Sequence, residues 1–257
     1  MDSRIIIGCM LVVMAASCPT TVSDNCECSK SIMRDCGEIL ENNPSAESGD
    51  YLIQPHDGKP AFTVYCDMRT DGGRTNGGWT VIQRREDGSV NFYRNWADYK
   101  DGFGNVNSEF WLGNEQINRI TSDGDYEILI ELTGALNTMK YRRYSHFRIG
   151  TEQSNYTLTI SNGGTGFRGT VGDAMTYHNN QQFTTYDRDH DKSRFWNLAV
   201  NYKGAWWFKS GYHSNLNGPY QTPGPIPVSS RGIIWYHFTG THRYSLKKTV
   251  MMVKRAP

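Results

Sequence analysis

All six cysteines lie within the first 66 residues of this 257-residue chain. Whatever folds beyond Cys66 is therefore held by packing and by bound groups, with no staple of its own. Cys9 sits in an apolar run over residues 5–14, which follows Arg4 and precedes Ala15-Ala16-Ser17. A thin basic start, an apolar stretch of this length and a small-residue boundary read as a secretory signal over residues 1–17. The run is too short to cross a bilayer, which takes about 20 apolar residues, and no later run is longer. The expectation is a secreted, extracellular protein with no membrane insertion.

Secretion decides how the other cysteines read. In an oxidising compartment they become disulfides. Cys18 lies at the edge of the signal. Cys26-Glu27-Cys28 is too tight to bridge to itself. Cys36 is therefore paired with Cys66, and Cys26 and Cys28 are left for another chain. They sit in a short polar segment, residues 18–34, and would make a disulfide-linked homo-oligomer. A zinc half-site is the competing reading, but no second Cys or His pair with zinc spacing follows.

Lys and Arg number 27 against 26 Asp and Glu, a net charge of +1. That balance gives no bulk field for nucleic acid. Hydrophobic content is only 37%, but aromatics reach 12% (7 Trp, 15 Tyr, 10 Phe). The apolar mass sits in rings, which excludes a polytopic membrane protein and opposes wholesale disorder. The 26 glycines and nine prolines indicate a loop-rich body. No linker interrupts residues 35–256, so they form one domain.

Strand patterns cover residues 62–66 and 79–83, and residues 126–132 alternate, with Tyr126, Ile128, Ile130 and Leu132 on one face. Residues 141–149 and 156–160 continue the pattern. Asp71-Gly72-Gly73, Asn76-Gly77-Gly78 and Asn162-Gly163-Gly164 are turn signals. Helices look few and short; Asn114 is expected to cap one that carries Ile117 and Ile120. After about Thr170 the periodicity fades into loops rich in Gly, Asn, Asp, Pro and rings. The fold class is α+β.

Two constellations carry candidate chemistry. Asp187-Arg188-Asp189-His190-Asp191 puts three carboxylates on one side of an extended segment. Clustered hard oxygens suit Ca²⁺. An EF-hand fails, because Lys192 and Leu198 stand where Gly and Glu are needed. A different calcium loop would add backbone carbonyls, the nearest from Ser193 to Phe195; a solvated acidic turn is the alternative. Ala205-Trp206-Trp207-Phe208, with Tyr212, His213 and Asn215-Leu216-Asn217-Gly218, sets rings beside amides, which suits carbohydrate or acetyl groups. Core packing is the commoner fate of such tryptophans. Gly164-Thr165-Gly166-Phe167-Arg168-Gly169 matches a dinucleotide fingerprint, but no helix opens after it, so it reads as a turn. No hydrolase motif is present and the seven histidines lack ligand spacing, so no enzyme is expected. Asn155-Tyr156-Thr157 is a glycosylation sequon.

Asp35-Cys36-Gly37-Glu38, Val64-Tyr65-Cys66-Asp67-Met68, Gly77-Gly78-Trp79 through Arg85, and Trp96 with Gly102-Phe103-Gly104 resemble the fibrinogen C-terminal domain. So do Glu109-Phe110-Trp111-Leu112-Gly113, Phe183-Thr184-Thr185, Gly204-Ala205-Trp206-Trp207, Asn215 through Tyr220, and Tyr244-Ser245-Leu246-Lys247-Lys248. The resemblance runs from about Asp35 to Arg255. It implies an N-terminal lobe closed by Cys36–Cys66, a central lobe with a twisted antiparallel sheet and short flanking helices, and a loop-built C-terminal lobe carrying calcium and a ligand pocket. It selects Asp189 and Asp191 as side-chain calcium ligands. Ser193 and Phe195 would add carbonyls, with Arg194 the alternative to Phe195.

The family's second disulfide is missing: Leu198 and Gly211 stand at its positions. Such a bridge contributes about 2–4 kcal/mol, so calcium and ring packing must hold this lobe. Lectin-type members have a cis peptide and a His beside that bridge. Here the bond is Ser210–Gly211, the His position is Tyr212, and Arg231 stands where some lectins have an aromatic. A non-proline cis bond costs about 2.5–4 kcal/mol, so a trans bond is expected. The resemblance is nearest in type to ficolins and tachylectins. It implies a calcium-dependent, lectin-like recognition protein for glycans or acetylated groups, as in innate immune pattern recognition. Tyr202, Tyr212 and Tyr244 would wall the pocket, and Ser210 and Gly211 would meet an acetyl carbonyl. The alternative is an angiopoietin-like ligand for a cell-surface receptor.

Overall fold

Alternating β-branched and aromatic residues build the sheet on which the rest of the chain is hung. In this computed structural model, residues 32–69, 77–161, 170–227 and 231–256 are described, all within one compact unit. The signal over residues 1–17, Cys26, Cys28, the Asp71 turn and the Gly164 motif lie outside the described residues.

The strands are Gly49–Ile53 (β1), Phe62–Asp67 (β2), Trp79–Arg85 (β3), Phe103–Gly104 (β4), Phe110–Trp111 (β5), Tyr126–Thr133 (β6) and Met139–Tyr144 (β7). Phe147–Ile149 (β8) and Leu158–Ile160 (β9) pair with each other. Ser214–Asn215 (β10) pairs with Ile234–Trp235 (β12), and Gly224–Pro225 (β11) with Tyr244–Ser245 (β13). Lys248–Arg255 (β14) is the last strand. The main antiparallel sheet runs β1-β2-β3-β14-β6-β7, with β4 and β5 attached beside β3. Strand β14 thus lies between β3 and β6, with a bulge between Met251 and Met252. The C-terminal loops must be laid down before the sheet is complete.

Tyr126, Ile128, Ile130 and Leu132 are all buried, as their alternation requires. The expected strand over residues 141–149 breaks at Ser145–His146, because β7 belongs to the main sheet and β8 turns away to pair with β9. In the helix Asn114–Ser122, Gly113 rather than Asn114 is the N-cap. The Asn114 amide oxygen instead accepts from the Trp111 indole N–H at 3.1 Å, a buried tertiary demand that overrides its capping preference.

The first helix, Cys36–Asn42 (α1), is capped by Asp35, whose carboxylate accepts from the Glu38 N–H at 2.8 Å. Cys36 and Cys66 are bridged, with Cα atoms 5.5 Å apart, tying α1 to β2 as expected. Trp96–Asp101 (α2) packs against Asn114–Ser122 (α3), which packs on β8; Leu198–Tyr202 (α4) and Tyr236–Thr239 (α5) lie among the C-terminal loops. Tyr99, Trp111, Phe183 and Trp207 interlock with ring centroids 5.2–6.0 Å apart. Trp206 and Trp207 are fully buried. Core packing, not ligand contact, explains that pair.

Arg85 joins the sheet to the C-terminal lobe. Its guanidinium donates to the carbonyls of Leu216 (3.0 Å) and Gly218 (2.7 Å) and covers the Phe92 ring. The buried Glu109 carboxylate lies 3.6 Å from its Nε and accepts from the N–H groups of Glu86, Asp87 and Val90.

Candidate functional site

The acidic segment folds back on itself through its own side chains. The Asp191 carboxylate accepts from the Ser193 N–H at 2.7 Å and, across the loop, from the Leu198 N–H at 2.7 Å. Asp189 accepts from the Asp191 N–H at 3.3 Å, so the two carboxylates are neighbours. Burial, opposed by those two N–H groups and reinforced by the Asp189 charge, pushes the Asp191 carboxyl up to about 6. Neither carboxylate has an ion pair with a basic side chain among the described residues.

Two neighbouring carboxylates with no counter-cation, Asp191 half-buried and Asp189 exposed, fit a divalent ion bound by hard oxygens. Among the described residues no group of three or more His, Cys, Asp or Glu converges for a metal. Two carboxylates are therefore what the side chains offer, and further ligands would come from carbonyls such as those of Ser193 and Phe195. Asp187 is diverted: its Oδ1 accepts from the Trp96 N–H and the Thr185 hydroxyl.

The same hydrogen bonds position α4. Asn197 caps it by accepting from the Val200 N–H, and the Asn197 amide donates to the carbonyls of Thr185 and Tyr186. The first residue of α4, Leu198, is the one held by Asp191. The last, Tyr202, meets Tyr212 edge to face at 4.7 Å, and both rings pack on Phe208. Leu198 is buried and Gly211 lies in a turn closed by the Lys209 N–H to the Gly211 carbonyl. Apolar packing and this turn occupy the two positions of the missing bridge. No cis peptide occurs among the described residues, Ser210–Gly211 included.

The structure thus brings Asp189, Asp191, Ser193, Tyr202 and Tyr212 into one region, with exposed Ser210 and half-buried Gly211 on the turn before Tyr212. Tyr244 stands elsewhere: its hydroxyl accepts from the Ala135 N–H and its ring stacks on Phe238. Phe195 points outward, 83% exposed. Arg231 donates to the Asn201 carbonyl beside α4. Asn155 ends a short 3₁₀ turn in the left-handed region at φ 52°, a conformation that asparagine tolerates.

His178 and Tyr177 escaped the sequence reading. His178 is fully buried, and its Nε2 accepts from the N–H groups of His213 (3.2 Å) and Ser214 (3.1 Å). Nδ1 must then carry the proton, which it donates to the Trp207 carbonyl at 2.7 Å. Burial pushes this imidazole down to about 3. The ring fixes the segment after Tyr212 by accepting from two of its backbone N–H groups. Tyr177 stacks on His213 at 4.1 Å. No spacing rule links residues 177–178 to 213–214; only the fold does.

The family described as fibrinogen beta and gamma chains, C-terminal globular domain, matches residues 32–256. Fibrinogen-like protein A of Apostichopus parvimensis is 45% identical over 229 residues, 87% of this chain and 75% of that protein. Human fibrinogen C domain-containing protein 1 is 42% identical over 85% of this chain and 46% of its own length. Among solved structures, the fibrinogen-like globe domain of human ANGPTL2 superposes with a TM-score of 0.80 at 42% identity, covering 88% of this chain and all of that one. Lamprey fibrin D-dimer, complexed with the peptide ligand Gly-His-Arg-Pro-amide, gives 0.78 at 32% identity over 92% and 79% of the two chains. With the lobe-closing disulfide, the central antiparallel sheet and this match over nearly all described residues, the chain belongs to the fibrinogen C-terminal domain family.

Proposed function

We propose that this chain is a secreted, non-enzymatic recognition protein whose C-terminal lobe binds acetylated groups or glycans when loaded with calcium. One observation carries the reading. Helix α4 is gripped by Asp191 at its first residue and presents Tyr202 against Tyr212 at its last. A cation on Asp189 and Asp191 relieves the repulsion between them and fixes α4, and with it the aromatic wall. The Ser210 hydroxyl and the Gly211 N–H, which have no intramolecular partner among the described residues, suit an acetyl carbonyl. Family membership supports the metal, since fibrinogen C-terminal domains commonly bind calcium, and the Cys36–Cys66 bridge suits an oxidising, extracellular compartment. Cys26 and Cys28 would link copies. Single contacts of this size bind at about millimolar, so linked copies would supply avidity.

The test is retention on N-acetylated beads in calcium, with elution by free acetate or EDTA. Loss of retention in Tyr202→Ala and in Asp191→Ala is expected. Retention unchanged by EDTA, or none at all, refutes the reading. The likeness to the ANGPTL2 globe favours a second reading, a ligand for a cell-surface receptor. There, cell binding would survive both acetate and Tyr202→Ala.

A further inference from the structure

The loop between Asp191 and α4 displays two large rings to solvent. Phe195 is 83% exposed and Trp196 64%. The other six tryptophans are at most 2% exposed, and no other phenylalanine among the described residues is exposed. The usual reason for an apolar residue just before a helix cap is a staple onto the fourth helical residue. That residue here is Asn201, so Trp196 has no staple partner. Val200, one helical turn beyond it, is also exposed.

This display is built, not slack. Backbone and side-chain bonds clamp the loop on both flanks: the Lys192 N–H to the Lys209 carbonyl, Ser193 and Leu198 to Asp191, and Asn197 to Thr185 and Tyr186. Lys192 and Arg194 precede the rings in the loop, exposed and without an ion pair or ring contact among the described residues. Three cations, Arg188, Lys192 and Arg194, balance the three carboxylates of the segment. A divalent ion on Asp189 and Asp191 would give the loop a net charge of +2.

We propose that this Phe195–Trp196 loop, with the exposed Lys192 and Arg194, is a peripheral docking surface for an anionic lipid bilayer, strengthened by the calcium at its base. Exposed rings and exposed cations in one short loop match the chemistry of a membrane interface, which offers apolar chains below anionic headgroups. A second copy fits worse, because it brings these cations against their own kind. The expectation of no membrane insertion rested on run length, which governs spanning segments and not a two-ring tip. The calcium dependence rests on the cation reading above; the lipid contact does not rest on the glycan reading.

Flotation of the full secreted chain with phosphatidylcholine vesicles containing about one quarter phosphatidylserine tests this. In calcium, partitioning at least about tenfold above that to pure phosphatidylcholine is expected, with about fivefold lost for each of Lys192→Ala and Arg194→Ala. Trp196→Ala should lose at least about tenfold, and Phe195→Ser, which keeps its carbonyl, should also weaken binding. Both exposed positions should leave the melting temperature unchanged. Equal binding by Trp196→Ala and wild type, or to neutral and anionic vesicles, overturns the proposal. So does retention on a sulfated polysaccharide, or trypsin-sensitive cell binding, in the absence of vesicle binding. Equal vesicle binding in calcium and EDTA, still dependent on Trp196, supports the surface and overturns only the calcium reading.

Discussion

The ion pair Arg85–Glu109 is the strongest single test of how the C-terminal lobe is attached. Side-chain exposure is 1% for Arg85 and 0% for Glu109. Burial lowers the guanidinium to about 10, opposed by the Glu109 charge, so it stays charged at neutral pH. Arg85→Met removes the donors to the Leu216 and Gly218 carbonyls and leaves Glu109 buried without its cation. Breaking one side of a buried pair costs about 3–5 kcal/mol, a large part of a domain's total of about 5–15 kcal/mol. Glu109→Gln strands Arg85 and turns an amide donor toward one of three N–H groups, at similar cost. Urea unfolding of both singles and the double variant closes a cycle. The double should be less destabilised than the sum of the singles by at least about 2 kcal/mol. The exposed pair Lys248–Glu86 is shorter, at 2.6 Å, yet should couple by less than about 1 kcal/mol. If the Arg85 cycle is additive within about 0.5 kcal/mol, the pair is not what joins the lobes.

Two stability experiments probe the flanking elements. His178 resists protonation in the fold down to about 3, whereas the unfolded ring titrates near 6.5. Its stability is therefore present in full above 6.5 and is lost as pH falls toward 3. The loss should be about 1 kcal/mol over the first unit below 6.5, and denaturant melts of His178→Gln across that range should lack it. Removing the bridge with Cys36→Ala/Cys66→Ala frees a loop of 30 residues; loop entropy puts the cost at about 3–4 kcal/mol. Calorimetry showing less than about 1 kcal/mol would mean that β1 and β2 close this lobe unaided.

Residues 126–132 were legible as a strand from the alternation of Tyr126, Ile128, Ile130 and Leu132, although the burial of Glu127 and Leu129 on the other face was not. Strand β14 is not legible in the same way, because Thr249-Val250-Met251-Met252-Val253 has no strict alternation. The acidic segment was legible as carboxylates at alternate positions, and the resemblance singled out Asp189 and Asp191 within it. Tyr202 and Tyr212, ten residues apart, were joined by resemblance, and the structure does set them together. Tyr244 was grouped with them on the same grounds and lies against Phe238 instead. His178 carried no local signature, and the motifs that hold Arg85 and Glu109 did not show their roles, since each acts through partners 19 to more than 130 residues away.

From the sequence alone came the α+β class, the Cys36–Cys66 pair and the acidic loop. Each of these depends on local periodicity, local turn chemistry or a count of thiols, which short stretches of sequence carry in full. Tertiary structure decided that Trp206 and Trp207 are core while Phe195 and Trp196 face water, although both pairs read alike as letters. It also decided that β14 lies in the middle of the sheet and that Asp191 holds the helix bearing Tyr202. Burial and long-range pairing are properties of the whole packed molecule, so no window of residues contains them.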